Sequence, residues 1–130
     1  MIEDTSFIID LLHDDPDAVK YLHLIEQANH PEKVASITML ELYEAVPQLD
    51  VPERRQQKIL DVLDTRHAVA ADETVMRKAG KISGTLTASG DEINREDCII
   101  GATALLHDEP VVTRNTTHFT RIDGLDVETY

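Results

Sequence analysis

M-I-E-D-T-S-F-I-I-D-L-L, residues 1–12, decides how the rest of the chain is read. Ile2 opens a very short apolar strand, and Asp4 stands at its end. Thr5 or Ser6 can cap the helix that follows, to which Phe7, Ile8, Ile9, Leu11 and Leu12 give a largely buried surface. A carboxylate therefore lies at the carboxyl end of a strand, beside a helix N-terminus. In an open α/β sheet, ligands and catalytic groups collect there. Asp-Thr-Ser is equally an ordinary turn or N-cap signal, so Asp4 gains meaning only from the acids that join it.

Working outward, Asp15-Pro16 starts a second helix, expected to run to about residue 29 with Val19, Leu22 and Ile25 inward. Residues 34–36 read as a second strand. Residues 37–46 read as a helix with Leu40, Ala45 and Val46 available for burial. Thr38 or Ser36 can cap it, and Glu41 stands three residues after Thr38, as in a capping box. Pro52 opens another helix with Ile59, Leu60 and Leu63 inward. Residues 68–70 form a weak third strand, and a long helix covers 74–86 with Val75, Met76, Ala79 and Ile82 in register. The most apolar helix runs over 98–106. Residues 111–113 form a fourth strand, 114–119 a loop or short helix, and 125–128 a closing edge strand. Short strands alternating with helices predict a three-layer α/β/α sandwich around a central, mainly parallel sheet of four or five strands. The whole of 1–130 reads as a single domain.

Composition narrows the function. A single cysteine, Cys98, excludes an internal disulfide and a Cys-based zinc cluster, and fits a reducing cytoplasm. No stretch is long and apolar enough to span a membrane. A formal net charge of −13 argues against nucleic-acid binding, because phosphate contacts dominate that affinity. Two things soften that: carboxylates holding a cation are locally neutralised, and at molar salt the Debye length is only ~3 Å, so an acidic surface is screened. Arg54, Arg55 and Lys58, and then Arg77, Lys78 and Lys81, form small basic clusters, readable as solvated helix faces or as an RNA track.

With that topology, Asp4, Glu41, Asp97 and the polar run Thr113-Arg114-Asn115 share one carboxyl edge, provided the first, second and fourth strands are neighbours. Acids gathered there repel one another and need compensation. Mg²⁺ or Mn²⁺ can supply it, since both prefer oxygen ligands.

D-T-S-F-I-I-D-L-L at 4–12, T-M-L-E-L at 38–42, E-D-C-I-I-G-A-T-A at 96–104 and V-V-T-R-N-T-T-H-F at 111–119 resemble, in order, the blocks of PIN-domain nucleases, and the chain's size resembles the VapC-type toxins. The resemblance implies a Mg²⁺- or Mn²⁺-dependent endoribonuclease that hydrolyses RNA with metal-activated water, a homodimer or a larger toxin–antitoxin assembly, and a cognate antitoxin. Such an antitoxin would cover apolar surface near the N-terminal helices and direct an Arg at the acids. By match, Asp4, Glu41 and Asp97 are implied as metal-binding catalytic acids; Thr113, Asn115, His118 and Ser6 can line the site. No organic cofactor is implied. Asp97 is preferred to Glu96 from the alignment of the block. One departure stands out: His118 occupies a position where the family often has a fourth acid, which bears on a second metal and motivates the alternative of a catalytically impaired RNA- or protein-binding module. Asp10 reads as a surface or pairing carboxylate that could support the site from behind.

Overall fold

The computed structural model describes residues 1–130. Its strands are β1 (Ile2–Glu3), β2 (Lys33–Ala35), β3 (His67–Val69), β4 (Val111–Val112) and β5 (Val127–Glu128). Its helices are α1 (Thr5–Leu12), α2 (Pro16–Gln27), α3 (Ser36–Ala45), α4 (Glu53–Asp61), α5 (Glu73–Ser89), α6 (Arg95–Leu106) and α7 (Thr116–Phe119). The five strands lie in the order β3-β2-β1-β4-β5, every pair parallel. Ile2 pairs with Lys33 on one side and Val111 on the other, so β1 sits between β2 and β4. The adjacency on which the shared acidic edge depends is therefore present.

Helices cover both faces, as the alternation predicts. On one face Ile2, Ala35 and Val111 pack with Val75, Ala79 and Leu86 of α5 and Ile100, Ala102 and Ala104 of α6. On the other, α1 divides its two fully buried residues: Ile8 joins Val34, Leu42 and Leu60, and Phe7 joins Val112, Ala18 and Ile25. Burying such large aliphatic and aromatic side chains contributes roughly 1.5–3 kcal/mol each. α1 is thus clamped on two sides near its start, which fixes the residues of its first turn. Gly90, in the left-handed region at φ 78°, closes α5 and turns the chain back towards α6.

Glu3 was not singled out by its sequence context, yet it is fully buried beside Val34 and Val112. Arg66, just before β3, donates to it at 3.0 Å and also reaches Glu32. Burial still wins over that attraction, and the Glu3 carboxyl is pushed above the usual carboxylate range.

Several local expectations change. Neither Thr5 nor Ser6 caps α1; Asp4 does, with extended backbone and its carboxylate on the Thr5 N–H. The capping box of α3 does not form: Ala35 is its N-cap, and no side chain caps it. Thr38 is instead buried against Thr5. Leu40 is 60% exposed and Ala45 is exposed, while Leu42 and Val46 go inward, because α3 meets the core along its Thr38–Leu42 stripe. Met76 is likewise exposed. α6 begins at Arg95, three residues early, because Asn94 caps it through the Asp97 N–H.

Candidate active site at the carboxyl edge of the sheet

Asp4 leaves β1 with its N–H on Val112 and its side chain 5% exposed. Three donors hold its carboxylate. Thr5 N–H reaches Oδ1 at 2.8 Å; Ser6 Oγ and Thr113 Oγ1 each reach Oδ2 at 2.7 Å. Two of these come from the next turn of α1 and one from the end of β4, so the orientation of Asp4 depends on β1 and β4 being paired. Ser6 and Thr113, both expected to line the site, also lie 3.3 Å from each other.

Glu41 projects from the second turn of α3. Thr5 Oγ1 donates to Glu41 Oε1 at 2.8 Å, while also lying 3.2 Å from Thr38 Oγ1. The Thr5 hydroxyl, free because Asp4 does the capping, therefore ties α1 to α3. Burial pushes the Glu41 carboxyl upward; the hydrogen bond from Thr5 opposes this, and the negative charges of Asp4, Asp97 and Glu96 add to it.

Asp97 occupies the first turn of α6, with Asn94 fixing its backbone N–H at 2.7 Å. It is buried and Glu96 is exposed, so of the two neighbours Asp97 is the one that faces the other acids. His118 Nδ1 donates to Asp97 Oδ2 at 2.7 Å, and Asn115 Nδ2 approaches the same oxygen at 3.4 Å. Burial raises the Asp97 carboxyl, His118 counters that, and Asp4 again adds to it.

The structure thus gathers Asp4, Glu41, Asp97, Ser6, Thr113, Asn115 and His118 along one edge. No Lys or Arg pairs with any of the three acids; His118 is the one basic side chain that touches them. Thr5 and Asn94 hold this arrangement, and sequence reading gave Thr5 only a capping role. The donor set is hard oxygen, which suits Mg²⁺ or Mn²⁺ in kind. In spacing it is open: no three His, Cys, Asp or Glu side chains are grouped to hold a metal ion.

The chain is similar along almost its full length to several solved structures. One is VapBC2 from Rickettsia felis bound to a DNA fragment from their promoter, with TM-score 0.87 and 22% identity over 98% of this chain and 96% of that one. Another is the DNA-bound VapBC from Salmonella typhimurium, with TM-score 0.87 and 23% identity over 98% and 96%. A third is FitAcB from Neisseria gonorrhoeae, with TM-score 0.82 and 25% identity over 98% and 95%. No curated protein matches. The PIN domain sequence profile matches residues 1–125, in agreement with the order of the four sequence blocks and with the parallel sheet that brings them together. The chain belongs to the PIN domain family.

Proposed function

We propose that this chain is the toxin of a toxin–antitoxin pair and a divalent-metal-dependent endoribonuclease, built as one PIN-like domain over residues 1–130. The observation that carries the reading is the convergence of Asp4, Glu41 and Asp97 on one sheet edge with no Lys or Arg to neutralise them. Mg²⁺ or Mn²⁺, when bound there, supplies polarisation of a phosphate oxygen and a more acidic water. Asp4, Glu41 and Asp97 are the residues that would hold it. A closed three- or four-ligand cage is what zinc demands; Mg²⁺ uses one or two carboxylates and keeps several waters, so an open acid set suits it. The other side chains keep the acids in place: Ser6 and Thr113 orient Asp4, Thr5 orients Glu41, and Asn115 and His118 orient Asp97.

Partners follow from the relatives, which are VapBC and FitAB assemblies. A groove of about 290 Å³ between α1, α3 and α4, lined by Ile9, Leu12, Leu42, Val46, Leu49 and Ile59, offers apolar surface for an antitoxin helix. Exposed Leu40, Tyr43 and Met76 are further surface for the antitoxin or a second copy to cover. No helix is long and apolar enough to cross a membrane, and the lone buried Cys98 suits the cytoplasm.

A specific observation favours a second reading, a PIN-like module that binds RNA or protein without turnover. Asp97 is already engaged by His118, and no three ligands are grouped for a metal. His118 and Asn115 occupy Oδ2 of Asp97, so the nuclease reading leaves Oδ1 to meet a metal, whereas the binding module needs no metal at all. Incubation of antitoxin-free protein with a mixed RNA pool, in Mg²⁺, Mn²⁺ or EDTA, separates the two. Cleavage that needs the metal supports the nuclease; intact RNA retained by folded protein in every condition supports the binding module.

A further inference from the structure

Arg114 lies between Thr113, which holds Asp4, and Asn115, which approaches Asp97. Its side chain is 47% exposed, yet it is held from three directions. Nε donates to Asp10 at 2.9 Å, and Nη2 reaches Asp15 Oδ1 at 3.1 Å. Its guanidinium carbon lies 4.8 Å from the centre of the Tyr130 ring, the geometry of a cation over an aromatic face. Tyr130 is itself fixed: its hydroxyl donates to Asp10 at 2.7 Å, and its ring packs edge-on against fully buried Phe7 at 4.8 Å. The Arg114 backbone N–H lies 3.4 Å from Ser6 Oγ, the hydroxyl that donates to Asp4.

The two carboxylates take Nε and one side of Nη2 and leave Nη1 without a carboxylate partner, with the Tyr130 hydroxyl as the guanidinium's other polar neighbour. A planar fork with a free edge, on the segment that carries two site residues, matches the oxygen pair of a phosphodiester. The two carboxylates behind it do not close that edge. Asp15 also accepts the Asp17 and Ala18 N–H groups at the start of α2, and Asp10 also accepts from Tyr130, so each negative charge is shared with other donors.

We propose that Arg114 is a substrate-binding residue: its free edge takes a phosphodiester flanking the one that faces the acids, with Asp10, Asp15 and Tyr130 holding the guanidinium in position. The proposal rests on the reading of RNA as the ligand, and gives a chain of net charge −13 one defined anion contact beside its acidic edge. An antitoxin carboxylate is the competing occupant. A substrate phosphate is favoured because the contact sits next to Thr113 and Asn115, away from the apolar groove of α1, α3 and α4.

The test uses the Asp4→Asn protein, kept from cleaving, as parent. A labelled single-stranded oligoribonucleotide is titrated in Mg²⁺ over a salt series, by fluorescence anisotropy, with the parent, with added R114Q and with added R114K. R114Q should weaken binding about tenfold. It should also flatten the slope of log affinity against log salt by about 0.7, the value for one lost phosphate contact on a single strand. R114K should restore the slope but only part of the affinity, because it keeps the charge and loses the fork. Unchanged affinity and slope in R114Q, or an equal loss in both variants with the slope intact, overturns the proposal in favour of a purely structural Arg114. A loss confined to antitoxin binding overturns it as well. An oligonucleotide that binds none of the proteins overturns it together with the RNA reading. Wild-type protein that binds RNA through Arg114 but never cleaves removes the nuclease reading alone.

Discussion

Glu41 shows what the acidic edge costs the fold. Its carboxyl is raised above the usual range first by burial and then by Asp4, Asp97 and Glu96, so the folded chain holds that proton more tightly than the unfolded chain does. The sign follows by linkage: the folded state is favoured most below the ordinary carboxylate range and loses that advantage as pH rises through it towards the raised value. Gln cannot ionise, yet its amide oxygen still accepts the Thr5 hydroxyl. Glu41→Gln should therefore melt above wild type at pH 7, with the gap closing near pH 4. Mg²⁺ should raise the melting temperature of wild type more than that of the variant, since a ligand stabilises only the state that binds it. Equal melting temperatures at pH 7 would mean that neither burial nor the neighbouring acids disfavour the Glu41 charge. The same residue shows where sequence reading stops. Thr38 and Glu41 carry a capping-box spacing that α3 does not use, because the Thr38 hydroxyl is buried against Thr5, 33 residues away in sequence. Local spacing cannot register such a contact; the placing of Glu41 on the helix after the second strand, and the resemblance of its block, are what pointed to it as a site residue.

At the scale of elements, the site is a by-product of how helices seat on the sheet. α6 brings Asp97 to the edge only if it lies close over β1 and β4, and Gly101 permits close approach to the loop after α7. A Cβ at Gly101 would fall inside contact distance of Ile122 Cδ1 and lie 3.5 Å from Leu125 Cδ2. Gly101→Ala gains ~1 kcal/mol of helix propensity but meets that clash, and overpacking costs about 1–3 kcal/mol. A net loss of about 1 kcal/mol, a few degrees in melting temperature, is expected. Ile122→Val removes the very methyl that clashes. Alone it should cost about 1 kcal/mol; on the Gly101→Ala background it should cost nothing or restore stability, and denaturant melts of the four proteins give the coupling directly. Simple additivity would place the close approach elsewhere. The order of strands and helices was legible because apolar runs and their Pro, Gly and Asp boundaries are local signals. The inward face of α3 was not: Leu40 is 60% exposed while Leu42 is buried, since tertiary packing selects the stripe in a helix with little amphipathic contrast.

For the whole molecule, the governing quantity is the net charge of −13. Few of the acids have cationic partners, so the folded chain repels itself, and NaCl should stabilise it by screening. Melting temperature should climb between about 0.05 and 1 M NaCl at pH 7, and the climb should shrink at mildly acid pH as carboxylates protonate. A flat response at pH 7 would mean the surface charge carries little cost. Long-range contacts are also where the sequence was least readable. Tyr130 meets Asp10 across 120 residues and holds Arg114 over its ring, and no motif announces that cluster, although Asp10 had been marked as a possible support. All these contacts meet at the carboxyl edge, where Asp4 is held by α1 and β4 together. The most direct measurement is the rate of RNA cleavage in saturating Mg²⁺ by folded, antitoxin-free wild type and Asp4→Asn. Loss of several kcal/mol of transition-state stabilisation predicts a fall of at least about 100-fold in the variant. Equal rates in the two proteins would contradict the assignment of this edge as the place where the phosphodiester is broken.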